Sequence, residues 1–110
     1  FLEELAWART FVLEQEAHAL RAQGYGRRTT ARDLLIFGVH GVIDNELRAP
    51  DECARHKALD CLGDLALSGC DLIGCVDACR SGHALNAELV RRMKLAHTEQ
   101  IWPYSVCKAA

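Results

Sequence analysis

Residues 50–64 read Pro50-Asp51-Glu52-Cys53-Ala54-Arg55-His56-Lys57-Ala58-Leu59-Asp60-Cys61-Leu62-Gly63-Asp64, and the rest of the chain is read outward from them. A proline followed by two acids opens a helix well, because proline lacks an N–H that would go unused there and the carboxylates face the positive end of the helix dipole. The spacing predicts one helix from about residue 51 to 67, stopped by Ser68-Gly69. On that helix His56, Asp60 and Asp64 recur every four residues and form a single stripe. Leu59, Leu62 and Leu65 imply that the helix is half buried, and acids on a partly buried face need partners. An imidazole followed one turn later by a carboxylate is a two-point grip for a divalent metal. The same pair also occurs as an ordinary surface ion pair, and spacing alone leaves both readings open.

Downstream, Ser81-Gly82-His83-Ala84-Leu85-Asn86 places a histidine beside a glycine at the start of a final helix, Ala84 to Leu95. His83 reads either as a structural hydrogen-bonding residue or as a group that a ligand can approach closely past Gly82. Lys57 reads either as a solvated lysine or as a cation for an anionic substrate group. Between the two helices, Leu72 to Ala78 is apolar and reads as a strand. From His97 onward, through Trp102-Pro103-Tyr104, no period is visible and the tail is unassigned.

Upstream, residues 1 to 23 lean toward helix, with the phase broken at Trp7 to Val12 by an aromatic and β-branched cluster that suits a short strand. Gly24 stands where a left-handed helix cap is wanted. Residues 34 to 39 (Leu-Leu-Ile-Phe-Gly-Val) read as a buried strand, His40-Gly41 as a turn leading to Val42-Ile43, and Asp44-Asn45-Glu46 as a second turn. Helices alternating with short strands give an α+β class, a small sheet with helices packed on one face.

Composition bounds the function. Half the residues are hydrophobic and a quarter charged, which is globular rather than disordered. A net charge of −2 gives no basic face for nucleic acid, and the clusters Arg27-Arg28 and Arg91-Arg92-Lys94 read as solvated surface. No apolar run reaches membrane-spanning length and no signal peptide opens the chain, which begins at Phe1 and so implies an N-terminus further upstream. The six cysteines, Cys53, Cys61, Cys70, Cys75, Cys79 and Cys107, contain no Cys-x-x-Cys pair. Cys53 and Cys61 project too far apart along one helix to bridge, and Cys75 and Cys79 fall in an apolar run where a thiol packs as a small hydrophobe. All six are expected to be reduced, as in a cytoplasmic protein.

The segments Ala8-Arg9-Thr10-Phe11, Asp51-Glu52-x-x-Arg55-His56-Lys57-x-Leu59-Asp60-x-x-Gly63-Asp64-Leu65, Ile73-Gly74 and Ser81-Gly82-His83-Ala84-Leu85-Asn86 together resemble the second half of UDP-3-O-acyl-N-acetylglucosamine deacetylase. Their order and spacing agree over about residues 1 to 95, and four blocks in register are far more specific than any one of them. Departures fall at Ala49, Cys79, Arg80 and the loop Arg27-Arg28-Thr29-Thr30, none of them a candidate ligand.

The resemblance implies a zinc amidase that commits the cell to lipid A synthesis, built of two α+β domains that sandwich the active site. Residues 1–95 would be an incomplete C-terminal catalytic domain, and 96–110 a tail with no counterpart. His56 and Asp60 would be two of three Zn2+ ligands; the third, a histidine preceded by the general-base glutamate, belongs to a first domain that this chain lacks. His83 would steady the oxyanion and protonate the leaving amine, with Asp64 holding its ring and Thr10 adding a hydrogen bond. Lys57 would meet the polar part of UDP-3-O-acyl-N-acetylglucosamine, and Phe11 with the helix after it would line the acyl passage. These roles fit the chemistry, since attack on an acetamide loads charge onto oxygen and amine departure needs a proton. The competing reading is a binding or scaffold module that keeps the fold without a complete zinc site. On either reading the isolated chain is expected to be inactive.

Overall fold

The structure, a computed structural model, describes residues 1–98, with side chains through residue 96. The tail assigned to 96–110 therefore lies almost wholly outside the described residues, as do Cys107, the Trp102-Pro103-Tyr104 segment and the side chain of His97. The described chain forms an α+β fold with a three-stranded mixed sheet and three helices. It divides into two units, Phe1–His56 and a second beginning at Lys57, and the boundary falls inside one helix.

The first unit is organised by a parallel strand pair. β1 (Thr10–Leu13) passes directly into α1 (Glu14–Ala22), which packs against β1 and β2 before the chain returns as β2 (Leu34–Gly38). Parallel strands require such a crossover, and the helix supplies it. The register sets Thr10 beside Leu34 and Leu13 beside Phe37. β3 (Gly41–Val42) then turns back antiparallel on β2, with Phe37 opposite Val42. Leu35 is fully buried at the centre of the sheet, Ala17 is buried on α1, and Phe11 meets Phe37 edge-to-face with ring centroids 6.2 Å apart.

α1 ends as the sequence predicts. Gly24 adopts φ +87°, the Tyr25 N–H donates to the Leu20 carbonyl and the Gly24 N–H to that of Arg21, which together form a Schellman cap. The helical lean of the residues before the strand is not borne out, while the strand and the helix after it are. Residues 2–7 form turns closed on the Phe1 carbonyl, not a helix, and β1 takes up most of the aromatic and β-branched cluster. The β-branched and aromatic side chains at Thr10 to Val12 gain more from the ladder with β2 than from an isolated turn of helix.

An ion pair ties the loops of this unit to α2 (Glu52–Ala66). Arg9 and Glu52 are both buried, and Glu52 Oε1 and Oε2 accept from Arg9 Nε at 2.8 Å and Nη2 at 2.9 Å. The Arg9 and Arg48 backbone N–H groups add two more donors to the same carboxylate. The remaining guanidinium hydrogens go to the carbonyls of Ala31 and Glu46 and to Asn45 Oδ1. The turn at Asp44-Asn45-Glu46, with Asp44 at φ +48°, is thereby held to the strand start.

The second unit contains most of α2, the connection 67–82 and α3 (His83–Thr98). Cys61 and Leu65 of α2 pack with Val90 and Met93 of α3. The helix bounds agree with the predicted 51 to 67, and the turn bonded through Leu67, Ser68 and Gly69, with Gly69 at φ +76°, closes it. The strand expected over Leu72 to Ala78 is not formed; the segment has no regular structure, and Leu72, Ile73 and Val76 are exposed. A strand needs a neighbour to bond with, and the sheet of the described residues contains only β1, β2 and β3. Cys75 and Cys79 accordingly stand exposed rather than packed as small hydrophobes. All five cysteines of the described residues are free thiols, and burial pushes the Cys53 thiol up.

The Arg9–Glu52 pair predicts a particular acid lability. Its donors hold the Glu52 carboxyl down at about 2, against an ordinary 4.5, the side-chain hydrogen bond from Arg9 being the main cause. A depressed carboxyl contributes stability that is complete above its unfolded value and is lost as pH falls through the folded one. Urea midpoints should therefore drop between 4.5 and about 2, and Glu52→Gln should flatten that segment of the profile. Glu52→Ala, which strands a buried guanidinium, should cost about 3–5 kcal/mol at neutral pH by the same unfolding measurement.

Candidate active site

α2 carries His56, Asp60 and Asp64 at one-turn intervals without interruption, as the spacing predicts. In the first unit, half-buried His56 places Nδ1 3.2 Å from the Ala8 carbonyl oxygen. A carbonyl can only accept, so Nδ1 carries the proton and Nε2 is the basic nitrogen of the ring. Phe11 presses edge-on against the same imidazole, with centroids 6.1 Å apart. Ala8 is buried just before β1, so the strand that positions Phe11 also presents the carbonyl that orients His56. Thr10, the first residue of β1, is exposed.

In the second unit, four of the predicted residues converge. Lys57 Nζ lies 3.2 Å from Asp60 Oδ2. The hydrogen bond expected between Asp64 and His83 is present, with Nδ1 2.9 Å from Oδ2. His83 Nε2 lies 3.9 Å from Asp60 Oδ2, so the imidazole stands near both carboxylates. The ring is 71% exposed while Asp60 and Asp64 are only 16% and 17% exposed, which gives half-buried acids beneath a solvent-reachable histidine. Arg80 at φ +50° and the Asn86 N–H bonded to the Gly82 carbonyl turn the chain into α3, so that His83 opens the helix.

Asn86 was not singled out by sequence reasoning. It is 5% exposed, and its Nδ2 donates to Asp64 Oδ2 at 2.9 Å, the same oxygen that meets His83. The signal was available in principle: Asn86 follows His83 by three residues and shares its helix face. The Asp64 carboxyl is held below the usual carboxylate range, first by the Asn86 hydrogen bond and then by that of His83. Among the described residues no three or more His, Cys, Asp or Glu side chains are grouped to hold a metal ion.

The family model for LpxC, UDP-3-O-acyl N-acetylglycosamine deacetylase, matches residues 1–95. The chain belongs to that family. It is 46% identical over 94 residues to a UDP-3-O-acyl-N-acetylglucosamine deacetylase of Solibacter usitatus, covering 84% of this chain and 32% of the relative. It is 40% identical to the protein of the same name from Anaeromyxobacter sp. (strain Fw109-5), over 84% of this chain and 31% of that relative. A third, from Chromobacterium violaceum, is 37% identical over 96% of this chain and 34% of its own length. The chain thus spans about a third of the length of these curated relatives. The matched range takes in every candidate site residue from Thr10 to His83.

A structural role for Lys57 can be tested separately from both of its readings. Its pair with Asp60 joins neighbouring turns of one helix and is partly open to solvent. Such pairs contribute little, so Lys57→Ala should change unfolding free energy by less than about 0.5 kcal/mol in a urea titration. A larger loss would make Lys57 a structural residue.

Proposed function

We propose that this chain supplies part of the active site of a zinc-dependent deacetylase that hydrolyses the acetamide of UDP-3-O-acyl-N-acetylglucosamine, releasing acetate in the cytoplasm on the way to lipid A. The observation that carries the reading is the 2.9 Å contact between His83 and Asp64 within a chain of this family. Residues 1–95 act, on this reading, as the incomplete C-terminal catalytic domain, joined to a first domain that brings the general base and the remaining ligand.

His56 and Asp60 are the proposed ligands. The donor set suits zinc, which binds imidazole nitrogen and carboxylate oxygen. A ligating histidine ordinarily gives its other ring N–H to a carbonyl or carboxylate, and the Ala8 carbonyl holds His56 in that form. When bound, zinc supplies a Lewis acid and a hydroxide source at neutral pH.

The protein's own groups do the rest. Asp64 holds His83 by Nδ1 and leaves Nε2 as the nitrogen that meets the substrate. A cationic imidazole there stabilises negative charge growing on the acetamide oxygen and delivers a proton to the departing amine. Thr10 is proposed to add a hydrogen bond to that oxygen, Lys57 to meet the polar portion of the substrate, and Phe11 to flank its acyl chain.

Acetate release and zinc content, measured together in the full-length protein, test the assignment. His83→Ala should lower turnover by a factor on the order of 100 or more while zinc content stays near that of the parent. His56→Ala should lower both. Equal loss of turnover and zinc in His83→Ala would make His83 a ligand and overturn its role. The 110-residue chain alone should bind zinc weakly and release no acetate, because two ligands leave the metal poorly held. Robust turnover by the chain alone would show that its own residues complete the site.

A further inference from the structure

Asp64 Oδ2 receives two donors at the same distance, His83 Nδ1 and Asn86 Nδ2, each 2.9 Å away. The two donors differ in setting. The His83 side chain is 71% exposed, whereas Asn86 is 5% exposed. An exposed imidazole bonded to a carboxylate does not by itself fix that carboxylate, since the ring is itself free to turn in water. A buried amide bonded to the same oxygen does, because its own rotamer is held by packing and by its place one turn into α3.

The assignment of atoms is forced by chemistry. An ionised carboxylate only accepts, so the Asn86 atom facing it must be the amide nitrogen and the His83 atom must be a protonated ring nitrogen. Asn86 is neutral, so it orients Asp64 without cancelling its charge. A lysine or arginine in its place would compete with the imidazole for that charge.

We propose that Asn86 is a positioning residue for the deacetylase reaction, clamping the Asp64 carboxylate so that Oδ2 holds His83 by Nδ1 and presents Nε2 to the substrate. The proposal deepens the function assigned above and rests on that reading. Asn86 touches no reacting atom, and its effect passes entirely through Asp64.

Two properties follow that a space-filling asparagine would lack. First, its contribution disappears when Asp64 is absent. Second, it is not restored by a side chain of similar volume without a donor. Steady-state kinetics on the full-length enzyme read both. Asn86→Ala and Asn86→Leu should each lower kcat by a factor on the order of ten, with KM and zinc content unchanged. In an Asp64→Ala background, adding Asn86→Ala should lower kcat no further. Wild-type kcat in Asn86→Leu, or an Asn86→Ala loss that multiplies with that of Asp64→Ala, would overturn the clamp and leave Asn86 a packing residue.

An observation independent of activity keeps the two levels apart. In the full-length protein with 15N-labelled histidine, the His83 ring should show the Nδ1–H tautomer when neutral, and Asn86→Leu should mix the two tautomers. An unchanged tautomer in Asn86→Leu overturns the proposal whatever the kinetics show. If the wild-type protein releases no acetate yet Asn86→Leu mixes the tautomers, the deacetylase reading fails and the clamp on His83 stands.

Discussion

The buried pair of Arg9 and Glu52 is the constraint on which the first unit depends. Each ion would be costly to bury alone, and the pair is tolerable only because every donor and acceptor is used. Arg9 spends its five N–H donors on Glu52, Asn45 and the carbonyls of Ala31 and Glu46, while Glu52 also accepts the Arg9 and Arg48 backbone groups. Segments far apart in sequence, before β1, after β3 and at the start of α2, are thereby fixed to one another by hydrogen bonds whose directions leave little freedom. Glu52 is also the first residue of α2, where a negative charge is favoured by the helix dipole. The pair therefore sets both where α2 begins and the position of the strand that follows Arg9.

That placement reaches the proposed zinc ligand His56 through local geometry. His56 follows Glu52 by four residues, one turn along the same helix, and Ala8 immediately precedes Arg9. Fixing Arg9 to Glu52 brings the Ala8 carbonyl and the His56 ring into hydrogen-bond reach, at 3.2 Å. The buried ion pair and the imidazole's orientation are thus consecutive turns of one arrangement. A loss at Glu52 would be felt at His56 even though the two side chains have different partners.

Much of this was legible in the sequence where a local rule governs. Pro50 with its following acids, Gly24 as a left-handed cap and the period-four stripe each depend on residues within one or two turns, and the structure agrees with all three. The contact of Asp64 with His83 was legible through resemblance, since nothing in the spacing itself joins residues nineteen apart. What sequence could not give was non-local partnership. Arg9 and Glu52 are 43 residues apart, and a charged pair at that distance looks like two surface residues. The apolar run Leu72 to Ala78 has strand composition, yet composition says nothing of whether an edge is available to pair with it. Asn86 was visible as part of a motif, but its role depends on one amide hydrogen directed at one oxygen.

The charge balance around α2 explains why a neutral donor stands at position 86. Asp60 and Asp64 are one turn apart on the same helix, and like charges at that spacing repel by about 0.2–0.5 kcal/mol. Lys57 offsets the first at 3.2 Å, and the imidazole approaches both, at 3.9 Å from Asp60 and 2.9 Å from Asp64. A second fixed cation beside Asp64 would relieve the repulsion further but would remove the negative charge that holds His83 in place. An amide lowers the cost of ionising Asp64 through one directed hydrogen bond and adds no charge. Asp64 therefore remains a carboxylate with one firm neutral partner and one ionisable partner. His83 is the exposed partner, at 71% against 17% for Asp64, so a group arriving from solvent meets the imidazole and not the acid beneath it.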